Sequence, residues 1–327
     1  MKYPTHRFAT TVMTLAAATI LAAVPAAPAA QAGPFRAMLQ QRAGNGAGDG
    51  RARFGAHEDA PPLRLPAGVH VARDVAYGNA PRQKLDIYAP AGAHDAPVIV
   101  MVHGGAWMFG DKAAKNVVEG KVNRWVPRGF VFVSIDYRLV PQVQVADEAQ
   151  DVAAALAYVQ RHIASWGGDG RRVVLMGHSA GAHLVALVSA SPILARAHGV
   201  QPWLGTIALD SAACDVVTIM QRPHLRFYDR AFGSDPAVWR ADSPTLQLDR
   251  RIMPVLAVCS SQRDDSCPAA RQFVARADSL GGHAQVLPED KTHEQINKDL
   301  GVDAAYTAQV EAFMGQLDPS IARLLGH

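Results

Sequence analysis

Apolar residues in this chain cluster in short runs set between longer polar stretches. Val98–Val102, Phe130–Ile135, Val173–Met176, Thr206–Leu209, Val255–Val258 and Ala284–Leu287 are the clearest of them. Runs this short and continuous suit central strands buried on both faces. Val69–Tyr77 and Gln83–Tyr88 flank Gly78-Asn79 and predict an antiparallel opening pair. Helical patterns fill the gaps, at about 112–126, 147–164, 180–190, 268–280 and 301–317. The alternation predicts an α/β fold with a mostly parallel central sheet, helices on both faces and an antiparallel start. In such sheets the reactive side chains collect in loops at the carboxyl ends of strands.

Three stretches depart from that rhythm. Residues 211–251 form a long connection carrying Phe227, Tyr228, Phe232 and Trp239, expected to act as a cap-like insertion lining a substrate pocket. Residues 33–69 are rich in Gly, Ala, Arg and Pro without a sustained period, the pattern of a flexible segment with an extended lead-in. Lys2, His6 and Arg7 precede an apolar run from Phe8 to Val24, and Ala30-Gln31-Ala32 offers a small-x-small cleavage site. Residues 1–32 therefore read as a secretory signal peptide cut after Ala32, which predicts a secreted or periplasmic protein. The apolar run falls short of the ~20 residues of a membrane span and is followed by Pro25 and Pro28. No later stretch is long and apolar enough, so no stable span is expected after cleavage. The catalytic domain is expected over residues 70–320.

Composition narrows the picture further. With 49% hydrophobic and 19% charged residues in 327, the chain can bury a large core. A net charge of only +3 gives no reason to expect nucleic-acid binding. Export permits disulfides, and there are three cysteines. Cys259 and Cys267 would close a short, locally rigidifying loop, with Cys214–Cys267 as the alternative pairing. The thiols are too scattered for a zinc site, and no other metal-ligand spacing or cofactor motif is present.

The chemistry centres on Gly177-His178-Ser179-Ala180-Gly181, which follows the apolar run ending at Met176 and precedes a small-residue helix. That order builds a tight strand-to-helix turn presenting the Ser179 hydroxyl. A serine hydroxyl is a weak nucleophile and needs both a base and an oxyanion site. Val98–Val102 runs into His103-Gly104-Gly105-Ala106-Trp107, where backbone N–H groups of Gly104 and Gly105 can turn outward. With the Ala180 N–H they would form an oxyanion hole, and each such donor is worth about 3 kcal/mol in hydrolases. His103 is expected to organise that loop, with Trp107 and His178 lining the pocket.

These motifs resemble the α/β-hydrolases of the esterase and lipase kind. Asp74-Val75-Ala76-Tyr77-Gly78, Lys84-Leu85-Asp86-Ile87-Tyr88-Ala89-Pro90, Ser134-Ile135-Asp136-Tyr137-Arg138-Leu139 and Trp166-Gly167-Gly168-Asp169 resemble the carboxylesterase and arylformamidase-like branch. The resemblance covers roughly residues 70–316, with Ala106 in place of the third loop glycine. It implies a base just after the last strand, which selects His293 beyond Ala284–Leu287; His283 lies before that strand. It also implies the chain order serine, acid, histidine. The acid is then Asp264 after Val255–Val258, chosen by the Cys267-Pro268 that follows, with Asp265 second and Asp210 third.

The implied activity is cleavage of carboxylic esters, with short to medium acyl groups on small-molecule substrates, through Ser179, His293 and Asp264. No cofactor is implied. Alternatives are an arylformamidase or other amidase, a polysaccharide acetyl esterase and, more remotely, a non-catalytic binding protein on a hydrolase scaffold. Oligomeric state is not legible in the sequence.

Overall fold

The computed structural model describes residues 62–326 together with the isolated Met1. The expected signal peptide and most of the expected flexible segment lie outside the described residues. The end of that segment is tied down: Leu63 and Leu65 pack against the main core, and the Arg64 N–H donates to Glu119 at 2.8 Å.

Eight strands form one sheet in the order β1-β2-β4-β3-β5-β6-β7-β8. β1 (Val69–Ala76) and β2 (Lys84–Pro90) are antiparallel, and β2 is antiparallel to β4 (Val131–Ile135). The rest is parallel: β3 (Ala96–Val102), β5 (Gly168–His178), β6 (Gly205–Leu209), β7 (Val255–Ser260) and β8 (Ala284–Glu289). Every residue of β3, β4 and β7 is buried, Ser134 and Ser260 included, as expected of central strands, whereas β8 is an edge strand and only partly buried.

Side chains alternate between the two faces of each strand. Ile99 and Met101 of β3 and Met176 of β5 join a cluster with Trp125 of α1 (Lys115–Trp125) and Phe313 of α11 (Ala304–Leu317). α12 (Pro319–Leu325) closes it through Ile321. Another cluster joins Ala186 and Ala190 of α3 (Ala180–Ala190) to Phe273 and Ala277 of α9 (Ser266–Ser279). α2 (Val145–His162) buries Val152, Ala155, Leu156 and Val159, and a reciprocal Gln144–Asp147 capping box starts it. α4 (Pro192–Ala197) follows α3.

The predicted helix at 112–126 begins only at Lys115, because Lys112 serves another purpose. Its ammonium pairs with Asp74 and the fully buried Asp86, each at 3.0 Å, tying the opening hairpin to the β3 loop. The predicted 301–317 helix is preceded by a separate α10 (His293–Lys298), started by a Thr292–Gln295 capping box. Residues 211–251 contain four short helices: α5 (Val216–Met220), α6 (Arg226–Phe232), α7 (Pro236–Ala241) and α8 (Pro244–Gln247). Asp215 and Asp235 cap α5 and α7. Cys259, in β7, and Cys267, in α9, are joined by a disulfide, and Cys214 is a buried free thiol. No helix among the described residues is long and apolar enough to cross a membrane.

Candidate active site

β5 delivers Ser179 into a turn that only this sequence pattern tolerates. Ser179 has φ 58° and ψ −117°, and α3 begins at the next residue. A non-glycine residue held there stores roughly 1–3 kcal/mol of backbone strain. A β-carbon on Gly177 would lie 2.3 Å from the Gly181 carbonyl oxygen, and one on Gly181 2.3 Å from that of Val102. Both contacts are with backbone, which cannot swing aside. The elbow therefore depends on glycine at both positions.

His293, the first residue of α10, reaches back from the end of β8. Its Nε2 is 2.9 Å from Ser179 Oγ, and its Nδ1 is 2.5 Å from Asp210 Oδ2. Asp210 directly follows β6, at φ 57°, and is fully buried. Its Oδ1 accepts from the Ser260 N–H at 2.7 Å and from the Ser266 hydroxyl; its Oδ2 also accepts from Arg263 Nη1 at 2.8 Å. Burial alone would raise this carboxyl. The His293 hydrogen bond, the Arg263 charge and the Ser266 hydroxyl outweigh burial and hold it well below the usual carboxylate range.

The expected acid is thus displaced by one strand: Asp210, not Asp264, stands against His293. Asp264 is solvent-exposed on the β7–α9 loop, and Asp265 pairs with Arg263 at 3.0 Å. Ser260 at the end of β7, Arg263 in that loop and Ser266 at the start of α9 face inward and donate to Asp210. The order serine, acid, histidine is kept. Asp210 satisfied the same chain-order rule, and its place directly behind a buried strand was the available signal.

The remaining expected residues sort into three groups. Gly104 abuts Ser179, since a β-carbon on it would lie 2.8 Å from both Ser179 Cβ and the His178 carbonyl oxygen. Among the described residues the Gly104 and Gly105 N–H groups make no hydrogen bond. Ala180 opens α3 beside them. His103 stands behind this loop: its Nδ1 is 2.8 Å from the Gly104 carbonyl oxygen and its Nε2 3.1 Å from Asp136. Tyr137 stacks on it and donates to its carbonyl at 2.8 Å.

Trp107, Phe227 and Tyr228 do come together, joined by Phe232. Trp107 lies 6.2 Å from Phe227, 5.9 Å from Tyr228 and 4.8 Å from Phe232, centroid to centroid. Its indole N–H donates to His183 Nδ1 at 3.1 Å, while His183 Nε2 donates to the Asp242 carbonyl at 2.7 Å. Burial brings His183 down to about 4, so it stays neutral and able to do both. His178 is not part of this aromatic wall. It is buried against His293, rings 4.7 Å apart, and its Nε2 donates to the His293 carbonyl at 2.9 Å. Burial, and then the neighbouring His293, hold His178 well below its ordinary value, which keeps it neutral. No group of three or more His, Cys, Asp or Glu among the described residues could hold a metal ion.

The fold matches known proteins. A family model described as BD-FAE matches residues 85–199. Esterase B from Lactobacillus Rhamnosis superposes with a TM-score of 0.61 at 22% identity, over 79% of this chain and 90% of that one. The chain has the α/β-hydrolase fold. Among sequence relatives, it is 31% identical to the esterase LipC of Mycobacterium tuberculosis, over 68% of this chain and 59% of that protein. It is 39% identical to a probable isoprenylcysteine alpha-carbonyl methylesterase of Arabidopsis thaliana, over 36% of this chain and 24% of that protein. The chain thus spans about a quarter of the plant protein and under two thirds of the mycobacterial one.

Proposed function

We propose that this α/β-hydrolase cleaves carboxylic esters of short to medium acyl groups through Ser179, His293 and Asp210. The observation that carries the reading is the unbroken chain from Ser179 Oγ through His293 to the buried Asp210 carboxylate. Ser179 attacks the acyl carbonyl while His293 Nε2 takes its proton, then returns it to the leaving alcohol. Asp210 holds the Nδ1–H tautomer and stabilises the imidazolium formed in that step. The Gly104, Gly105 and Ala180 N–H groups are the donors for the tetrahedral oxyanion. Water then attacks the acyl-enzyme by the same route in reverse. The aromatic wall of Trp107, Phe227 and Tyr228 is read as one side of the substrate pocket. The esterase names of LipC and of the plant methylesterase support ester bonds over amides.

Export is part of the proposal. It rests on the signal-like residues 1–32 and on the Cys259–Cys267 disulfide, a bond favoured in oxidising compartments.

A fluorophosphonate probe tests the nucleophile: it should attach to Ser179 in folded protein, and Ser179→Ala should lose turnover by about 10³-fold or more. Absence of labelling overturns the enzyme reading. Nitrophenyl esters of rising chain length, assayed beside N-formylkynurenine and acetylated xylan, decide between ester, formamide and polysaccharide substrates. Faster turnover of the formamide than of every ester would replace esterase by amidase.

A further inference from the structure

The triad acid is held from a direction that the hydrolytic mechanism does not require. The span from Cys259 to Cys267, closed by its disulfide, sends three donors to Asp210: the Ser260 N–H, the Arg263 guanidinium and the Ser266 hydroxyl. With His293 these make four donors on one carboxylate, two on each oxygen, which fills its accepting capacity. Arg263 is fixed at its other end by Asp265, whose two oxygens lie 3.0 and 3.1 Å from Nη2. Its Nη1 is also 2.9 Å from His293 Nδ1. That ring nitrogen lies 2.5 Å from a carboxylate oxygen and must carry its proton, so the guanidinium cannot donate to it. Two donors instead face each other across Oδ2.

We propose that Arg263 is a positioning residue whose fixed positive charge sets the lower pH limit of the hydrolase. The inference rests on the triad reading above. When His293 takes the Ser179 proton, an imidazolium forms beside a guanidinium that cannot release its own proton. Asp210 then divides its charge between two cations. Two cations then share one carboxylate oxygen, so the charge at position 263 opposes the imidazolium. In return, the acid is kept ionised and oriented in a fully buried site.

Other charged and titratable groups face this region. Tyr228 of α6 and Tyr306 of α11 are neutral phenols pushed up by burial. His178, from the end of β5, is neutral through burial. Lys121 of α1 donates to the Asn297 carbonyl on α10, and burial brings it down to about 7. Lys291, before α10, is compensated by Asp299 and Asp303. None of these shares an oxygen of Asp210 with His293. A change of charge at position 263 therefore has a signature of its own.

The experiment compares kcat/KM against pH for wild type, Arg263→Gln and Arg263→Lys, with fluorophosphonate labelling of each to count folded sites. The Gln variant keeps a donor and loses the charge, so its acid limb should move up by about one pH unit. The Lys variant keeps the charge, so its limb should stay within about 0.3 units of wild type. Coincident limbs for Gln and wild type, or equal upward shifts for Gln and Lys, overturn the proposal. A structural role alone would lower labelling and turnover without separating Gln from Lys along the pH axis. Should Arg263→Gln not fold, the exposed Asp265→Asn decides: it leaves the guanidinium uncompensated and should lower the limb, and an unmoved or raised limb overturns the proposal. Failure of wild type to label at Ser179 would instead remove the triad reading beneath it.

Discussion

The two halves of the candidate site are specified in opposite ways. On the nucleophile side, backbone geometry does the work: Ser179 sits at positive φ between two glycines whose β-carbons would strike carbonyl oxygens. On the acid side, side chains do it. Asp210 follows β6, its donors Ser260, Arg263 and Ser266 end β7, follow it and open α9 in turn, and His293 follows β8. Ser179, at positive φ, lies between glycines at 177 and 181 and is written locally. The acid is selected by groups about fifty to eighty residues away. Local specification resists change in the surroundings; distributed specification can move the acid from one strand to the next while chain order survives.

The largest effect should come from breaking the elbow. Gly181→Ala puts a β-carbon against the Val102 and His103 carbonyl oxygens, neither of which can yield. Such overpacking costs about 3 kcal/mol or more. Calorimetry should show a lower Tm, and fluorophosphonate labelling at Ser179 should be lost. A variant with wild-type Tm and labelling would show that the glycine is not what shapes the turn.

A smaller effect is expected from loosening the acid side. Cys259→Ser with Cys267→Ser opens the short loop that carries the Asp210 donors. Loop-closure entropy puts the stability loss at roughly 2–3 kcal/mol. Turnover should fall several-fold while Ser179 still labels, because the elbow is independent of this loop. Equal losses of labelling and turnover would mean that the two halves are not separately specified.

The smallest effect on turnover is expected at Glu148 of α2. Burial lifts its carboxyl from 4.5 to about 10, against the pull of the Val140 N–H that it accepts. The folded state therefore keeps a proton that the unfolded chain releases above about 4.5, so stability falls as pH rises from there towards about 10. Glu148→Gln does not titrate, so its Tm advantage over wild type should grow from pH 5 to pH 8. Turnover should change by less than about 3-fold. A Tm difference that shrinks with rising pH would contradict the assigned direction.

How much of this was legible in the sequence follows from the same contrast. The strands were legible because a buried parallel strand needs a nearly continuous apolar run, and these runs alternate with longer helical patterns. Ser179, His293 and the Gly104-Gly105 loop were legible because each immediately follows such a strand or its turn. The helices within 211–251 were not, since elements of four to seven residues hold too few turns to show a period. Phe232 was visible as an aromatic, but its contact with Trp107 depends on how those helices fold back. The choice of Asp210 over Asp264 was not legible either. Both follow buried strands, and the difference lies in which carboxylate meets Ser260, Arg263 and Ser266.

The most direct test of the account is kcat/KM for Asp210→Asn beside Asp264→Asn, on the same ester, with circular dichroism and Tm confirming that both are folded. An amide at position 210 cannot hold the Nδ1–H tautomer of His293, so turnover should fall by about 10³- to 10⁴-fold. Asp264→Asn, an exposed change, should stay within about 3-fold of wild type. A large loss at Asp264 with little change at Asp210 would return the acid to the β7–α9 loop and contradict the account.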